Sequence, residues 1–148
     1  FGSDSPLVMA TEEGLLRLFD NLIGNAVKYT PEGGQIAVGL TIQGPDVRVY
    51  VQDSGIGIPP EALARLGEEF FRANNAKESG ATGTGLGLTT VRQLVAHFGG
   101  KLDVQSVVNQ GTTFTVILPR NLTPLIPLSA DATRRKPDLR NDSDMRLP

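Results

Sequence analysis

The chain has 148 residues, enough for one domain with a sizeable hydrophobic core. Its net charge of −2 at pH 7 is too close to neutral for a protein that binds nucleic acid by neutralising phosphates. It contains no cysteine, which excludes disulfide bonds and thiolate metal sites. No apolar run reaches the roughly 18 residues that a membrane-spanning helix needs. We therefore expect one ordinary globular domain, whose motifs must indicate its function.

The N-terminal part predicts a strand followed by a long helix. Residues 5–10 form a short apolar run, typical of an edge strand. Thr11 and the two acids after it predict the start of a helix that continues to Tyr29. Apolar residues recur along it at helical spacing, and Asn21, Asn25 and Lys28 fall together on the opposite face. A solvated surface would explain that face in an isolated helix, but the later motifs favour a binding site.

Two alternating stretches then predict an antiparallel hairpin. Residues 36–42 read as a half-buried strand, and 47–51 as its partner across the turn at 44–46. Asp53 continues the odd-numbered phase of the second strand, so we expect its carboxylate on the side of the buried valines. A carboxylate there needs hydrogen-bond donors, because an unpaired buried charge is costly. The alternative is an aspartate that belongs only to the turn before Gly55.

The second half predicts a short helix, a long loop, a second amphipathic helix and two strands. The short helix begins at 59–60 and ends near Leu66, and residues 67–82 have few apolar side chains and read as a functional or mobile loop. The second helix covers 88–98, and the strands cover 101–106 and 112–118. Thr112 shares the phase of Phe114 and so faces inward, as Asp53 does. Two polar groups from two strands can then form one recognition point.

This order of elements predicts an α/β (α+β) two-layer sandwich, with a mixed, mostly antiparallel sheet and helices on one face. We expect the domain to cover residues 1–119. Residues 120–148 have four prolines, no glycine and no aromatic residue, which is the composition of a tail or linker. The alternative is that this segment packs on the domain through its apolar residues Leu122, Leu125, Ile126 and Leu128.

The glycine-rich string at 83–87 stands at the start of the second helix. Glycine lets the backbone approach phosphate oxygens, and the free N–H groups of a helix start favour anions. The string is not a P-loop, because no Gly-Lys-Ser or Gly-Lys-Thr follows, and its spacing differs from the dinucleotide fingerprint. It indicates either a phosphate-binding loop or a hinge, and the two roles can coexist.

Four motifs in this order resemble the catalytic, ATP-binding domain of sensor histidine kinases. They are the asparagine-rich helix segment 21–30, the strings 53–58 and 83–88, and the segment 111–114. The resemblance covers about residues 5–119 and places the chain in the ATPase group shared with gyrase, heat-shock chaperones and mismatch-repair proteins. It implies the Bergerat-type ATP-binding fold, with ATP and Mg²⁺ as ligands.

The resemblance also implies a role for each polar residue near the phosphates. Asn25 would bind Mg²⁺ through its amide oxygen, and Asn21 would assist beside the phosphates. Lys28 would reach a phosphate, and Tyr29 would cover the base or the ribose. Arg72 follows two phenylalanines, as in the family's phenylalanine box, and would aim at the γ-phosphate. Oxygen ligands with phosphates suit a hard cation such as Mg²⁺.

The same resemblance implies how the base is recognised. Asp53 would accept a hydrogen bond from the adenine amino group, with Thr112 supporting it through ordered water. Gly55 and Gly57 would let the backbone pass the base edge, and residues 73–82 would form the ATP lid. The remaining nucleotide-binding positions implied are Ile58, Gly83, Thr84, Gly85, Leu86, Gly87 and Leu88.

As an activity, the resemblance implies transfer of the γ-phosphoryl group of ATP to a histidine on a separate phosphoacceptor domain, expected upstream. A response regulator would be an indirect partner, nucleic acid would not be one, and the chain would be a cytoplasmic domain of a protein that can be membrane-anchored. A related ATPase, an anti-sigma-type serine kinase and a non-catalytic nucleotide-binding module are the alternatives. The ATPases have a glutamate as general base where this chain has Asn21, and an amide cannot accept a proton.

Overall fold

A computed structural model describes residues 7–80 and 82–121. The predictions for Ser5, Pro6 and the apolar residues Leu122, Leu125, Ile126 and Leu128 lie outside those residues. None of the helices in the described part is long and apolar enough to cross a membrane.

Helix α1 covers Glu12–Tyr29 and begins at the predicted cap. The Thr11 hydroxyl accepts a hydrogen bond from the backbone N–H of Gly14 at 3.1 Å, which satisfies one of the free donors of the first turn. Leu18, Leu22 and Ala26 are buried along one stripe of α1. The helix is therefore held to the sheet by one apolar face, and its polar flank is left for other contacts.

Within the described residues, the sheet has four strands in the order β1-β2-β4-β3, and all three pairings are antiparallel. The strands are β1 (Ile36–Gln43), β2 (Asp46–Asp53), β3 (Lys101–Val107) and β4 (Gly111–Pro119). The register places Asp53 opposite Thr112 and Thr112 opposite Ser106. Three polar residues on three adjacent strands therefore meet at one end of the sheet.

Helix α1 and helix α4 (Gly87–His97) pack against each other on one face of this sheet. The buried core between the two layers consists of Leu18, Leu22, Ala26, Val51, Val91, Val95, Phe98, Phe114, Val116 and Leu118. The predicted two-layer α/β sandwich is confirmed.

Two expectations about the edges of the fold are wrong. The side chains of β1 that alternate toward the helix layer are exposed rather than half-buried; Val38 and Leu40, for example, are 53% and 52% exposed. Strand β1 is the outer strand, and α1 lies over β2, so no helix covers this part of the sheet in the described chain. In the described part of the first predicted strand, only an isolated bridge between Val8 and Arg120 forms.

The segment between the two halves of the domain differs from the prediction in two places. Helix α2 covers only Pro60–Leu63, and turns continue the chain toward Leu66. Within the predicted loop lies a short helix, α3 (Asn74–Glu78), which buries none of its residues. Its Ala-Lys-Glu sequence is made of good helix formers, and Arg72 donates a hydrogen bond to its Ala76 carbonyl at 3.0 Å.

Candidate functional site

One cavity of about 260 Å³ lies between α1, the start of α4, the α3 segment and the ends of β2 and β4. It brings together most residues singled out from the sequence. Those that line it are Asn21, Asn25, Lys28, Tyr29, Asp53, Gly57, Ile58, Arg72, Gly83, Thr84, Gly85, Gly87, Leu88 and Thr112. Its other walls include Ile56, Leu66, Gly67, Phe71, Ala73, Asn75, Ala76 and Phe114.

The carboxylate of Asp53 is held at the sheet end of the cavity by backbone groups. Its Oδ1 accepts hydrogen bonds from the N–H of Gly55 at 2.8 Å and from the N–H of Thr112 at 3.2 Å. The side chain is only 9% exposed, as its phase in β2 predicts. Among the described residues, both of these bonds reach Oδ1, so Oδ2 keeps its accepting capacity for a ligand.

Ser106 extends this arrangement to the hydroxyl of Thr112. The Ser106 hydroxyl donates to the Gly111 carbonyl at 3.0 Å and accepts from the Ile58 N–H at 2.8 Å. The 2.9 Å contact between the Ser106 and Thr112 hydroxyls is then donated by Thr112, because the single proton of Ser106 is already used. Thr112 is left with accepting capacity only, so this end of the cavity presents acceptors from both Asp53 and Thr112.

Burial raises the pKa of Asp53 above its ordinary value of 3.8. The two backbone N–H donors, Gly55 and Thr112, partly oppose that rise because they stabilise the charged form. The protein thus keeps a carboxylate where desolvation disfavours its charge. A buried carboxylate that carries a free acceptor oxygen is typical of a ligand-binding group rather than a turn residue.

The loop after β2 packs tightly against the C-terminal end of α1. The Ile56 N–H donates to the Tyr29 carbonyl at 3.1 Å, and a Cβ at Gly55 would collide with that same carbonyl. Gly57 has φ +65°, and a Cβ there would collide with the backbone of Val107. Glycine is therefore required at both positions by the neighbouring backbone, which fixes the loop against two elements.

The polar flank of α1 forms one wall of the cavity, as the helical spacing predicts. The Asn21 side chain donates to the Arg17 carbonyl at 2.7 Å, and its Oδ1 lies where a Cβ on Gly87 would meet it at 2.7 Å. In the described chain, the Asn25 amide makes no hydrogen bond. Lys28 lies 4.6 Å from the centre of the Tyr29 ring and beside Gly83, with no acidic partner among the described residues. An amide and an ammonium are therefore available to a ligand.

The start of α4 faces the same wall. Its cap residue Leu86 provides no side-chain hydrogen bond to the helix, so the first N–H groups of α4 have no capping partner among the described residues. Gly85 has φ +77° and packs against the backbone of Phe70. Positive partial charge at this helix start, in the same cavity as the Lys28 ammonium, makes this end of the cavity suited to anions.

The α3 segment covers the cavity from the remaining side. Arg72 lines the cavity, but its Nη2 donates to the Ala76 carbonyl of α3. The Asn75 side chain of α3 donates through Nδ2 to the Gly57 carbonyl at 2.8 Å, and both residues line the cavity. Phe70 has φ +62° and is 70% exposed, whereas Phe71 lines the cavity. The segment is thus tied directly to the loop that follows Asp53.

The structure does not bring Gly55 and Leu86 to the cavity, contrary to expectation. Gly55 turns its N–H toward Asp53 and packs against α1, and Leu86 ends 37% exposed at the cap of α4. Sequence reasoning also missed Ser106 and Asn75. Ser106 was detectable as a small polar residue near the end of a strand, but Asn75 stands in a segment without periodicity.

Comparison with known proteins agrees with this geometry. Residues 10–122 match the family model described as histidine kinase-, DNA gyrase B-, and HSP90-like ATPase. The phosphate regulon sensor protein PhoR of Pseudomonas aeruginosa is 40% identical over 105 residues, which cover 71% of this chain and 24% of that protein. The histidine protein kinase DivJ of Caulobacter vibrioides is 42% identical over 121 residues, covering 80% of this chain and 20% of that protein. The chain thus spans only about a quarter or less of these relatives.

Solved structures of similar fold include that of a sensor histidine kinase. The mycobacterial sensor histidine kinase MprB superposes with a TM-score of 0.69 at 32% identity, covering 78% of each chain. Full-length ShkA in complex with AMPPNP superposes with a TM-score of 0.66 at 36% identity, covering 78% of this chain and 23% of that one. The resemblance found in the sequence is confirmed, and the chain belongs to the family of histidine kinase-, DNA gyrase B- and HSP90-like ATPases, on its sensor histidine kinase branch.

Proposed function

We propose that this domain binds Mg-ATP in the cavity and presents the γ-phosphoryl group to a histidine on a separate phosphoacceptor domain. The observation that carries the proposal is the pairing of two unlike ends in one cavity: acceptors at the sheet end and anion-binding groups at the start of α4. ATP has the matching polarity, with a base amine at one end and phosphates at the other. A response regulator would receive the phosphoryl group from the histidine in a later step.

The sheet end supports adenine over guanine. Asp53 and Thr112 offer acceptor oxygens there, and the exocyclic amine of adenine is a donor. Guanine presents a carbonyl oxygen at the equivalent position, which would leave the buried Asp53 carboxylate facing another acceptor. A buried polar group without a partner costs free energy. The site therefore favours adenine in two ways: it bonds the amine of adenine, and guanine would leave the Asp53 carboxylate unpaired.

At the phosphate end, Mg²⁺ would be bound by the protein and the phosphates together rather than by the protein alone. The described residues contain no cluster of three or more histidine, cysteine or acidic residues that would hold a metal. The Asn25 amide oxygen is available in the cavity, and Mg²⁺ is commonly bound by one or two protein oxygens together with phosphates and water. Bound there, the ion would neutralise phosphate charge, while Asn25 would fix its place on α1.

The remaining groups at this end bind and orient the phosphates. Lys28 and the uncapped N–H groups of α4 provide positive charge around the position of the β- and γ-phosphates. Phosphoryl transfer depends mainly on positioning and charge stabilisation, so no protein nucleophile is required on this side. Arg72 is the further cation on the cavity wall, and we propose that it turns from Ala76 toward the γ-phosphate when ATP binds.

Efficient ATP hydrolysis, the alternative function, is disfavoured because the described cavity wall has no carboxylate near the phosphate end. Among the residues of the described chain that line it, Asp53 is the one carboxylate, and it lies at the base end. The Asn21 amide, which stands where an ATPase would need a general base, donates to the Arg17 carbonyl. A water molecule at the γ-phosphate would find no proton acceptor, whereas a histidine imidazole is a nucleophile without one.

The acceptor histidine must come from outside this chain. His97 is the only histidine in the sequence and stands at the last position of α4, while the phosphates would lie at its first turn. Eleven helical residues span about 15 Å, too far for in-line attack within one molecule. The chain alone should therefore label itself poorly.

The test is an assay with ATP labelled at the γ-phosphate, first with this chain alone and then with a helical phosphoacceptor fragment added. Acid-labile label on the fragment, dependent on this chain, is the expected result. Rapid release of inorganic phosphate by the chain alone, unchanged by the fragment, would instead establish the ATPase alternative. Label that is stable to acid on a serine of the fragment would indicate the anti-sigma type of kinase.

A further inference from the structure

The side-chain amide of Asn75 has one atom that is hydrogen-bonded and one buried atom that is not. Its Nδ2 donates to the Gly57 carbonyl at 2.8 Å, but its Oδ1 is buried and has no hydrogen-bond partner in the described chain. Leaving a buried acceptor unpaired costs free energy, and an unpaired polar atom in a binding cavity is commonly satisfied by a ligand. Asn75 lines the nucleotide cavity, so a ligand is the natural source of the missing donor.

The orientation of this amide is fixed by its partner. Exchanging the nitrogen and oxygen of Asn75 would point Oδ1 at the Gly57 carbonyl, and two acceptors would then face each other. Nδ2 must therefore serve Gly57, and the oxygen must face elsewhere. What remains open at Asn75 is an acceptor, which can pair only with a donor.

ATP carries hydrogen-bond donors only on its adenosine half when its phosphates are ionised. These donors are the exocyclic amine of the base and the two ribose hydroxyls. Gly57, to which Asn75 is bonded, lies in the loop that follows Asp53, at the base end of the cavity. The location of Asn75 and its need for a donor thus both indicate adenosine, and both exclude the phosphates as its partner.

We propose that Asn75 is a specificity-determining residue, whose amide bridges the Gly57 carbonyl to a donor of the adenosine moiety. This inference rests on the proposed nucleotide binding and adds to it a recognition contact from the α3 segment. One side chain then connects that segment, the base-end loop and the ligand. Adenosine recognition would consequently depend on where α3 lies.

The test compares ATP with three analogues that each lack one donor: purine riboside triphosphate, 2′-deoxy-ATP and 3′-deoxy-ATP. Affinities of the 148-residue chain and of Asn75→Ala are measured by calorimetry at one fixed Mg²⁺ concentration. Asn74→Ala is the matched control, because Asn74 has the same side chain on the same helix and lies outside the cavity wall. Heat denaturation of each variant checks its folding.

We expect Asn75→Ala to bind ATP about three- to tenfold more weakly, the range of one lost hydrogen bond. Against one analogue the loss should be much smaller, because that analogue lacks the donor that Asn75 meets. That analogue identifies the donor as the base amine or a ribose hydroxyl, and Asn74→Ala should bind all four nucleotides normally.

Three results would overturn the inference. The first is ATP affinity unchanged in Asn75→Ala, and the second is an equal loss for ATP and all three analogues, which would mean that Asn75 only holds α3. The third, which needs no variant, is equal affinity of the unsubstituted chain for ATP and every analogue. If the unsubstituted chain did not bind ATP at all, the proposed function would fail instead.

Discussion

The two ends of the nucleotide cavity are built from different parts of the fold. At the base end, backbone N–H groups and cross-strand register hold Asp53, Thr112 and Ser106 before any ligand arrives. At the phosphate end, Asn25 and Lys28 extend from one helix toward loops and a helix start, and neither has a hydrogen-bond or acidic partner in the described chain. The base end is therefore organised in advance, whereas the phosphate end takes its final arrangement from the ligand.

This difference assigns separate tasks to the two ends. A site that is fixed in advance can choose between bases because mismatched groups cannot relax. Groups that lack protein partners instead keep their hydrogen-bonding capacity and charge for the phosphates and the metal ion. Substitutions at the base end should then change affinity and stability, and substitutions at the phosphate end should change the rate.

The largest effect should follow Asn25→Ala at the phosphate end. We expect phosphoryl transfer to a supplied phosphoacceptor fragment to fall at least about 100-fold, as is typical when a group that stabilises transition-state charge is removed. Binding of ADP without metal should stay within about twofold. Gly24→Ala is the control on the neighbouring position of α1, because an added Cβ there meets nothing within 4 Å. Normal transfer by Asn25→Ala would show that the metal is held elsewhere.

Asp53→Asn should have the next largest effect, this time on affinity. Asparagine can still accept from Gly55 and Thr112, but its Nδ2 would place a donor against the adenine amine. We expect ATP affinity to fall about 10- to 150-fold, as for a charged buried hydrogen bond. Asp103→Asn, on an exposed position of β3, should leave affinity unchanged. Equal binding of ATP and GTP by the unsubstituted chain would contradict the assignment of Asp53 to the base.

The raised pKa of Asp53 also predicts how the stability of Asp53→Asn depends on pH. A carboxyl group whose pKa is higher in the folded state than its ordinary 3.8 lowers stability at neutral pH and stops doing so once it is protonated. Without nucleotide, Asp53→Asn should therefore be at least as stable as the unsubstituted chain at pH 7. That advantage should vanish as the pH falls through the pKa of Asp53 toward 3.8 and below, measured by urea unfolding at each pH. An advantage that persists unchanged in acid would mean that burial of the charge is not its cause.

Much of the base end was predictable because the rule behind it is local. A strand alternates its side chains with a period of two, so the phases of Asp53 and Thr112 place both inward from sequence alone. The same holds for the helical spacing of Asn21, Asn25 and Lys28. Ser106 was missed because its contact with Thr112 depends on the register across the last hairpin. The exposure of β1 depends on which strand lies at the edge, which is a property of the whole sheet.

The segment around α3 was the least predictable for a related reason. The composition of residues 67–82 predicted a loop, and no periodicity marked the single turn of helix within it. The bond from Asn75 to Gly57 joins residues 18 positions apart, one in a short helix and the other in a loop. A contact of this kind follows from the position of the folded segment over the cavity, which the sequence pattern does not specify.

Two glycine substitutions would compare the rigidity of the two ends directly. Gly57→Ala should destabilise the fold by about 2 kcal/mol or more, because alanine is strained at positive φ and its Cβ meets the fixed backbone of Val107. At Gly83 the added Cβ would meet, among the described residues, only the end of the flexible Lys28 side chain. Gly83→Ala should therefore change stability by less than about 0.5 kcal/mol. Similar unfolding free energies for the two variants would remove the distinction between a rigid and an adaptable end.

The smallest effect should be a change in hydrogen exchange at α3. Measuring it compares α3 with strand β2 and needs no substitution. Helix α3 buries none of its residues, and the side chains of Arg72 and Asn75 connect it to its surroundings through bonds to Ala76 and Gly57. Strand β2 is instead paired on both sides, by β1 and β4. Amides of residues 74–80 should therefore exchange much faster than those of β2 in the empty protein, because local opening there breaks few contacts. ATP should slow exchange in α3 by about tenfold, the equivalent of one or two new hydrogen bonds, and leave β2 unchanged.

Adenosine alone should produce part of this protection if the bond of Asn75 contributes to it. Asn75→Ala should lose that part, whereas Asn74→Ala should keep it. Slow exchange of α3 without nucleotide would show that the α3 side of the cavity is organised before the ligand binds, as the sheet end is.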